Sequence, residues 1–184
     1  MSADISARNN DIFQTTLKLG IIRENIVAFL LQKILLKKQI DIIEIKKNGE
    51  KRLKKDILET KYPEIIEYLQ EKLTQSTSTI KVIDLNRELN SFLESYLIEY
   101  FINKENDKNL DIILKELYKL EKLRKERNNL AHTINSPNYD KNWITSLKKI
   151  IINTAKYLNY PEPTFDDYKE INKELLKILK QTLN

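Results

Sequence analysis

Residues 107–132 read DKNLDIILKELYKLEKLRKERNNLAH, and this stretch decides the fold. Its leucines and isoleucines recur every three or four residues, which is the spacing of one face of an amphipathic α-helix. Asp107 or Asn109 provides an N-cap for that helix. The pattern therefore predicts one helix that continues to about His132.

Two arginines interrupt the apolar stripe of this helix. A step of about 100° per residue carries the stripe through Arg124 and Arg127, where the pattern predicts apolar side chains. A buried arginine without a partner is costly. Either a carboxylate such as Glu121 pairs with these arginines, or the end of the helix leaves the core and faces a second subunit across a polar cleft.

Similar apolar repeats predict helices on both sides of this stretch. They cover residues 9–38, 62–73, 84–102, 142–160 and 165–183. Gly20 marks a bend or a close contact in the first helix, Pro63 occupies the first turn of the second, and Asp84 caps the third. Trp143 and the apolar residues that follow it are predicted to lie in the core.

One segment has a different pattern. Within residues 41–55, Ile43 and Ile45 alternate with polar residues before Asn48-Gly49, a strong hairpin turn signal. A small β-hairpin and a helical continuation with a turn at Gly49 are both compatible with this segment. The prediction is an all-α antiparallel helical bundle that forms a single domain over residues 1–184, with a small hairpin near 41–55.

Composition excludes several classes of protein. The chain has 184 residues, 41% hydrophobic and 32% charged, which is typical of a globular protein. No run approaches the roughly 18 apolar residues needed to cross a bilayer, and no secretory signal pattern is present, so we expect a cytoplasmic protein without a membrane partner. Two glycines are too few for a Gly-rich phosphate loop, and one histidine without cysteine argues against a zinc site, so we expect neither a metal nor a cofactor.

The only histidine lies in a recognisable setting. Arg127-Asn128-Asn129-Leu130-Ala131-His132 resembles the signature of HEPN ribonucleases, in which an arginine and a polar residue precede a histidine. The tail segment, residues 165–172, is similar to the ends of HEPN domains in CRISPR type III ancillary ribonucleases. The resemblance implies a HEPN-like helical bundle that cleaves single-stranded RNA without a metal, with Arg127, Asn128 and His132 as the catalytic residues.

Chemistry and geometry both point to a homodimer. Metal-free RNA cleavage needs a base, an acid and cationic donors at the phosphate, whereas each chain has a single histidine. In an ideal helix Arg127 and His132 point about 140° apart, while Asn128 and His132 share a face. A site shared by two copies solves this difficulty.

The net charge of +5 suits a polyanionic partner, although the acidic and basic residues are interspersed. We predict that Lys122, Arg124 and Lys125, on the motif helix, bind the RNA. A solvated lysine face is the alternative explanation for the two lysines.

Three functions remain open from sequence. The first is an ancillary effector of CRISPR type III defence. The sequence shows no nucleotide-sensing α/β domain, so the chain would be an isolated effector domain, a fragment, or the partner of a separate sensor protein in trans. The second is a free-standing HEPN toxin with an antitoxin partner. Many such toxins have a tyrosine two residues after the histidine, where this chain has Ile134. The third is a non-catalytic helical module that binds RNA, a nucleotide or another protein.

Overall fold

The structure is a computed structural model that describes residues 11–76, 82–105, 107–132 and 138–163, with the side chains of Ala131 and His132 left undescribed. Within these ranges the chain forms seven α-helices and one two-stranded antiparallel sheet. The predicted all-α fold with a small hairpin is confirmed.

The elements follow one another in chain order as α1 (Ile12–Lys37), β1 (Ile43–Ile45), β2 (Lys51–Leu53), α2 (Lys55–Lys61), α3 (Pro63–Gln75), α4 (Ser91–Ile102), α5 (Lys108–Lys119), α6 (Glu121–His132) and α7 (Asn142–Tyr157). Most of the predicted helices are present with ends shifted by a few residues. Helix α2 was not predicted. The predicted helix over residues 165–183 lies outside the described residues. None of the helices in the described ranges is long and apolar enough to cross a membrane.

The packing of the chain separates two compact units. One consists of Met1–Phe29 and Asn106–Asn184 and is called the split unit below; the other, Leu30–Glu105, is called the continuous unit. Helix α1 contributes to both, because the boundary falls within it. The single domain over residues 1–184 stays a prediction.

The core of the split unit is built from apolar faces of α1, α5, α6 and α7. Helices α5 and α7 pack closely against each other. Trp143 near the start of α7 is 2% exposed, as its place in the apolar repeat predicts. The other buried apolar residues of these helices include Leu19, Ile26, Val27, Leu110, Ile113, Leu117, Leu120, Leu123, Leu130, Leu147, Ile150 and Ile151.

The stretch predicted as one helix is divided into α5 and α6. Leu120 ends α5 with φ −84° and ψ 1°, and its N–H lies near the carbonyl oxygens of both Glu116 and Leu117. The N–H of Arg124 then bonds to the carbonyl of Leu120, so the helical ladder restarts at once. Leu120 is fully buried, and this anchoring holds the junction in the core. The prediction of a continuous helix was wrong, because the apolar stripe runs through the junction without a break.

The hairpin belongs to the continuous unit. Ile43 pairs with Leu53 and Ile45 with Lys51, and Gly49 in the turn has φ +83°, a conformation that favours glycine. The turn chemistry of Asn48-Gly49 therefore decides between the two alternatives in favour of the hairpin.

The predicted start of α4 at Asp84 was wrong. The Asp84 carboxylate accepts the N–H of Asn86 in a local turn, and the N–H of Leu89 donates to the carbonyl of Lys51 in the hairpin. Asn90 is the N-cap instead, since its side chain accepts two backbone N–H groups of the first turn. Leu89 thus bonds to the hairpin, although its apolar spacing predicts that it belongs to the helix.

Candidate active site

The backbone of α6 places the three motif residues on one helix. Helix α6 has Glu121 in its first turn, contains neither glycine nor proline, and continues through His132. The helix therefore does not end between Arg127 and His132, and these two positions lie about 140° apart around its axis. Asn128 and His132 lie one turn apart on the same face.

Arg127 is held by residues on two helices. Its Nη2 lies 3.1 Å from Oε2 of Glu24 on α1, and its Nη1 donates to Oδ1 of Asn128 at 3.3 Å. The side chain of Arg127 is 31% exposed and that of Glu24 is 28% exposed. The guanidinium is thus partly open to solvent while two of its nitrogens are engaged within the chain.

The stem of Arg127 lies directly over Gly20. A Cβ atom built on Gly20 would be 2.5 Å from Cγ and 2.8 Å from Cβ of Arg127. Of the two meanings predicted for Gly20, the close contact is the one observed. Sequence reasoning missed Glu24, and its only signal was its position one turn after Gly20 on α1.

Arg124 has a different partner. Its Nε and Nη2 donate to the Glu121 carboxylate at 2.9 and 2.6 Å, and Nη2 of Arg23 lies 3.7 Å from the same carboxylate. The side chain of Arg124 is 15% exposed. For Arg124, pairing with Glu121 is therefore the alternative that the structure favours, and its role in RNA binding stays a prediction.

The two predicted RNA-binding lysines lie on the outer face of α6. Lys122 and Lys125 are exposed, as is Asn129 one turn further along the helix. Their positions leave the ammonium groups accessible to an anion. The assignment of this face to RNA stays a prediction.

A second carboxylate on α6 holds the chain where it returns after the motif. Oε2 of Glu126 accepts the backbone N–H of Asn138 at 3.3 Å, and Oε1 lies 3.5 Å from the side-chain nitrogen of the same residue. This contact fixes residue 138 beside the middle of α6.

A buried carboxylate on α5 supports the helices beneath the site. Oε2 of Glu116 accepts the Ser146 hydroxyl at 2.7 Å, while Oε1 lies 2.7 Å from Nζ of Lys119 and 3.7 Å from Nζ of Lys149. Burial alone would raise the pKa of Glu116, but hydrogen bonds from Lys119 and Ser146 outweigh it and lower the pKa. Glu116 thus joins α5 to α7 as an ionised group.

In the part of the chain that the structure describes, no three histidine, cysteine, aspartate or glutamate side chains lie close enough together to hold a metal ion. The absence of a metal and of a cofactor from the reaction stays a prediction.

Comparison with known proteins assigns the family. No curated protein matches the chain. Residues 4–176 match the family described as the Cas_Csm6 HEPN domain. This match confirms the resemblance inferred from the motif. Because it spans nearly all of the 184 residues, the chain belongs to the Cas_Csm6 HEPN domain family of CRISPR type III-associated nucleases.

Proposed function

We propose that the chain is a metal-independent endoribonuclease that cleaves single-stranded RNA in a site shared by two copies of itself. The observation that carries the proposal is the motif Arg127, Asn128 and His132 on one continuous helix of a HEPN-family chain. The nucleophile is the 2′-hydroxyl of the RNA, so the products are a 2′,3′-cyclic phosphate and a free 5′-hydroxyl.

The geometry of α6 supports the homodimer. Since the helix continues through His132, a single copy presents Arg127 and His132 on different faces. One chain also supplies one histidine, whereas the reaction needs both a base and an acid. A two-fold axis beside α6 brings two histidines and two arginines to one phosphate.

Each motif residue has a distinct chemical role in this proposal. The His132 side chains of the two copies transfer the protons. Arg127 stabilises the negative charge that develops on the phosphate oxygens. Asn128, which already accepts a hydrogen bond from Arg127, binds a phosphate oxygen through its amide or orients His132.

The charged face of α6 supports RNA as the substrate. Lys122 and Lys125 are exposed about three and two turns before the motif histidine, where they attract phosphate groups of the strand on either side of the cleaved bond. Arg124 adds positive charge to the same helix but lies away from the lysine face, and Glu121 engages its guanidinium.

The biological setting follows from the family. We propose that the chain acts in the cytoplasm as an ancillary effector of a CRISPR type III system. The family match favours this role over the toxin with an antitoxin partner.

The test is RNA cleavage in excess EDTA by the wild-type chain, Arg127→Ala and His132→Ala. We expect the wild type to leave cyclic phosphate ends and both variants to lose cleavage. Arg87→Ala is the matched control, because Arg87 is 69% exposed in the continuous unit and pairs with Asp84. A 2′-deoxy substrate of the same sequence should not be cut.

The dimer is tested by measuring the sedimentation coefficient and the cleavage rate per chain over the same range of concentrations. We expect the rate to rise with the dimer fraction. Equal cleavage by the wild type and both motif variants would contradict the site. A monomer that does not cut RNA would contradict the nuclease and favour the non-catalytic module.

A further inference from the structure

The first helix has a flat site that fits the stem of Arg127. Gly20 has no side chain, and the Cβ and Cγ atoms of Arg127 occupy the space that a side chain at position 20 would need. The Cβ atom is fixed by the backbone and cannot move aside without a shift of α6 itself, and the Cγ atom can move only by a rotation about χ1 that would also displace the guanidinium. Gly20 therefore sets how closely α1 approaches the motif helix.

One turn further along α1, Glu24 meets the other end of the same side chain. Positions 20 and 24 are four residues apart, so they share a face of α1. Gly20 contacts the stem of Arg127, and Oε2 of Glu24 forms an ion pair with its Nη2 at 3.1 Å. Arg127 is thus held at both ends by two positions of one helix.

The arginine retains donors for a substrate. A guanidinium has five N–H groups, and the contacts to Glu24 and Asn128 engage one on each terminal nitrogen. Nε of Arg127 is buried and has no hydrogen-bond partner within the described ranges. The two contacts thus restrict the orientation of the guanidinium. Within the described residues, the other N–H groups of Nη1 and Nη2 have no hydrogen-bond partner and can serve a substrate, whereas the buried Nε cannot.

The electrostatic effect of Glu24 opposes its geometric effect. Its negative charge offsets the charge of Arg127, which weakens attraction for a phosphate. Its ion pair with Arg127 restricts the rotation of a long side chain, which favours a reaction that depends on the orientation of the donors. Replacing the carboxylate by an amide weakens both effects, which act on kcat and KM in different ways.

We propose that Gly20 and Glu24 are positioning residues that hold the guanidinium of Arg127 in the orientation needed to stabilise the transition state. The proposal rests on the proposed ribonuclease function. Neither residue touches the RNA in this arrangement, and both act through Arg127.

The first test is the kinetics of Glu24→Gln and Glu24→Asp in RNA cleavage. We expect Glu24→Gln to lower kcat about tenfold with an unchanged or lower KM, since orientation is lost while the repulsion of phosphate is relieved. Glu24→Asp keeps the charge and should recover part of kcat. Glu162→Gln is the matched control, because Glu162 forms an ion pair with Lys156 at 3.2 Å in the same unit, and its kinetics should match the wild type.

The second test is Gly20→Ala, for which helix propensity and packing predict opposite results. Alanine favours a helix over glycine, so a purely local effect would raise the melting temperature. Contact with the stem of Arg127 predicts a lower melting temperature and a lower kcat. The loss of stability should shrink in the Arg127→Ala background, because the atom nearest to the new Cβ is then absent.

A third measurement does not depend on activity. The Nε–H signal of Arg127 in an NMR spectrum, assigned by its loss in Arg127→Lys, should be sharp in the wild type and broadened or shifted in Glu24→Gln. If the wild type does not cleave RNA, the proposed function fails and this signal alone decides whether Glu24 orients Arg127. An unchanged signal, or an unchanged kcat in both Glu24→Gln and Gly20→Ala, overturns the proposal.

Discussion

The split unit buries more polar side chains than the continuous unit. In the described parts of the chain, seven buried polar or charged residues belong to the split unit, whereas the continuous unit has Glu94 and Glu99. The seven are Thr15, Thr16, Arg23, Glu116, Ser146, Asn153 and Thr154. Since burial of a polar group costs free energy unless it is compensated, the unit that carries the motif bears more of this cost.

The two units also differ in how these groups are satisfied. In the continuous unit Glu94 pairs with Lys51 at 3.1 Å and Glu99 with Lys72 at 2.6 Å. In the split unit the buried hydroxyl groups of Thr15, Thr16 and Thr154 have no hydrogen-bond partner among the residues described. Local departures from the packing rules tend to concentrate at functional sites, so this difference agrees with the placement of the motif.

The largest expected effect is on catalysis. Arg127→Lys keeps the positive charge but loses the planar fork, so we expect kcat to fall about a hundredfold or more. Arg52→Lys, in the hairpin of the continuous unit, removes a similar contact to Glu50 at 2.7 Å and should leave kcat unchanged. Single-turnover cleavage of labelled RNA measures both. Equal losses of kcat in the two variants would show that the difference between the two units has no counterpart in catalysis.

The next effect is on stability. Leu69 in the continuous unit and Leu123 in the split unit are both 0% exposed. Each substitution by alanine should lower the free energy of unfolding by about 2–5 kcal/mol, measured with urea. Leu123 lies one turn before Arg127, so only Leu123→Ala should also reduce kcat of the folded protein. A similar loss of kcat in Leu69→Ala would contradict the assignment of function to the split unit.

A smaller effect separates satisfied from unsatisfied hydroxyl groups. Thr16→Val replaces a buried hydroxyl that has no partner in the described ranges by a methyl group and should stabilise the protein by about 1 kcal/mol. Ser146→Ala removes the hydroxyl that donates to the buried Glu116 carboxylate and should destabilise the protein by about 1–3 kcal/mol. Thermal unfolding of both variants shows whether each substitution raises or lowers the stability of the protein. Destabilisation by Thr16→Val would show that this hydroxyl has a partner after all.

The smallest expected effect concerns acid stability. The pKa of Glu116 lies below its ordinary value of 4.5, so its contribution is fully present above pH 4.5 and is lost as the pH falls through the folded-state pKa. Glu116→Gln should therefore flatten the acid side of a stability-against-pH curve. Hydrogen bonds from Arg52 and Asn48 lower the pKa of Glu50 at the hairpin, where Glu50→Gln should flatten the curve less. An identical stability-against-pH curve for Glu116→Gln and Glu50→Gln would contradict the expectation that the buried carboxylate contributes more than the exposed one.

Local signals in the sequence predicted local structure well. Asn48-Gly49 indicated the hairpin, in which Gly49 adopts a positive φ, and Pro63 marked the start of α3. The same reasoning failed at Leu89 and Leu120. Leu89 fits the apolar spacing of α4 but bonds to the hairpin, and Leu120 fits a continuous helix but ends α5.

The candidate site was predictable only in part. The motif arginine and histidine were singled out by their spacing, and their assignment to the site stays a prediction. The partner of Arg127 could not be identified, because Glu24 lies far from it in sequence and no local pattern relates the two positions. Contacts of this kind depend on the docking of whole helices, which periodicity does not specify.

The division of the chain into a split and a continuous unit has a consequence for folding during synthesis. Residues 30–105 form a compact unit without a gap in sequence, so this unit can fold as soon as its last helix has left the ribosome. The split unit cannot, because α1 precedes the continuous unit in the chain and its partners α5 to α7 follow it. Glu24 therefore meets Arg127 only after the whole continuous unit has been made, and a chain that cleaves RNA would acquire its arrangement of donors after that unit can already fold.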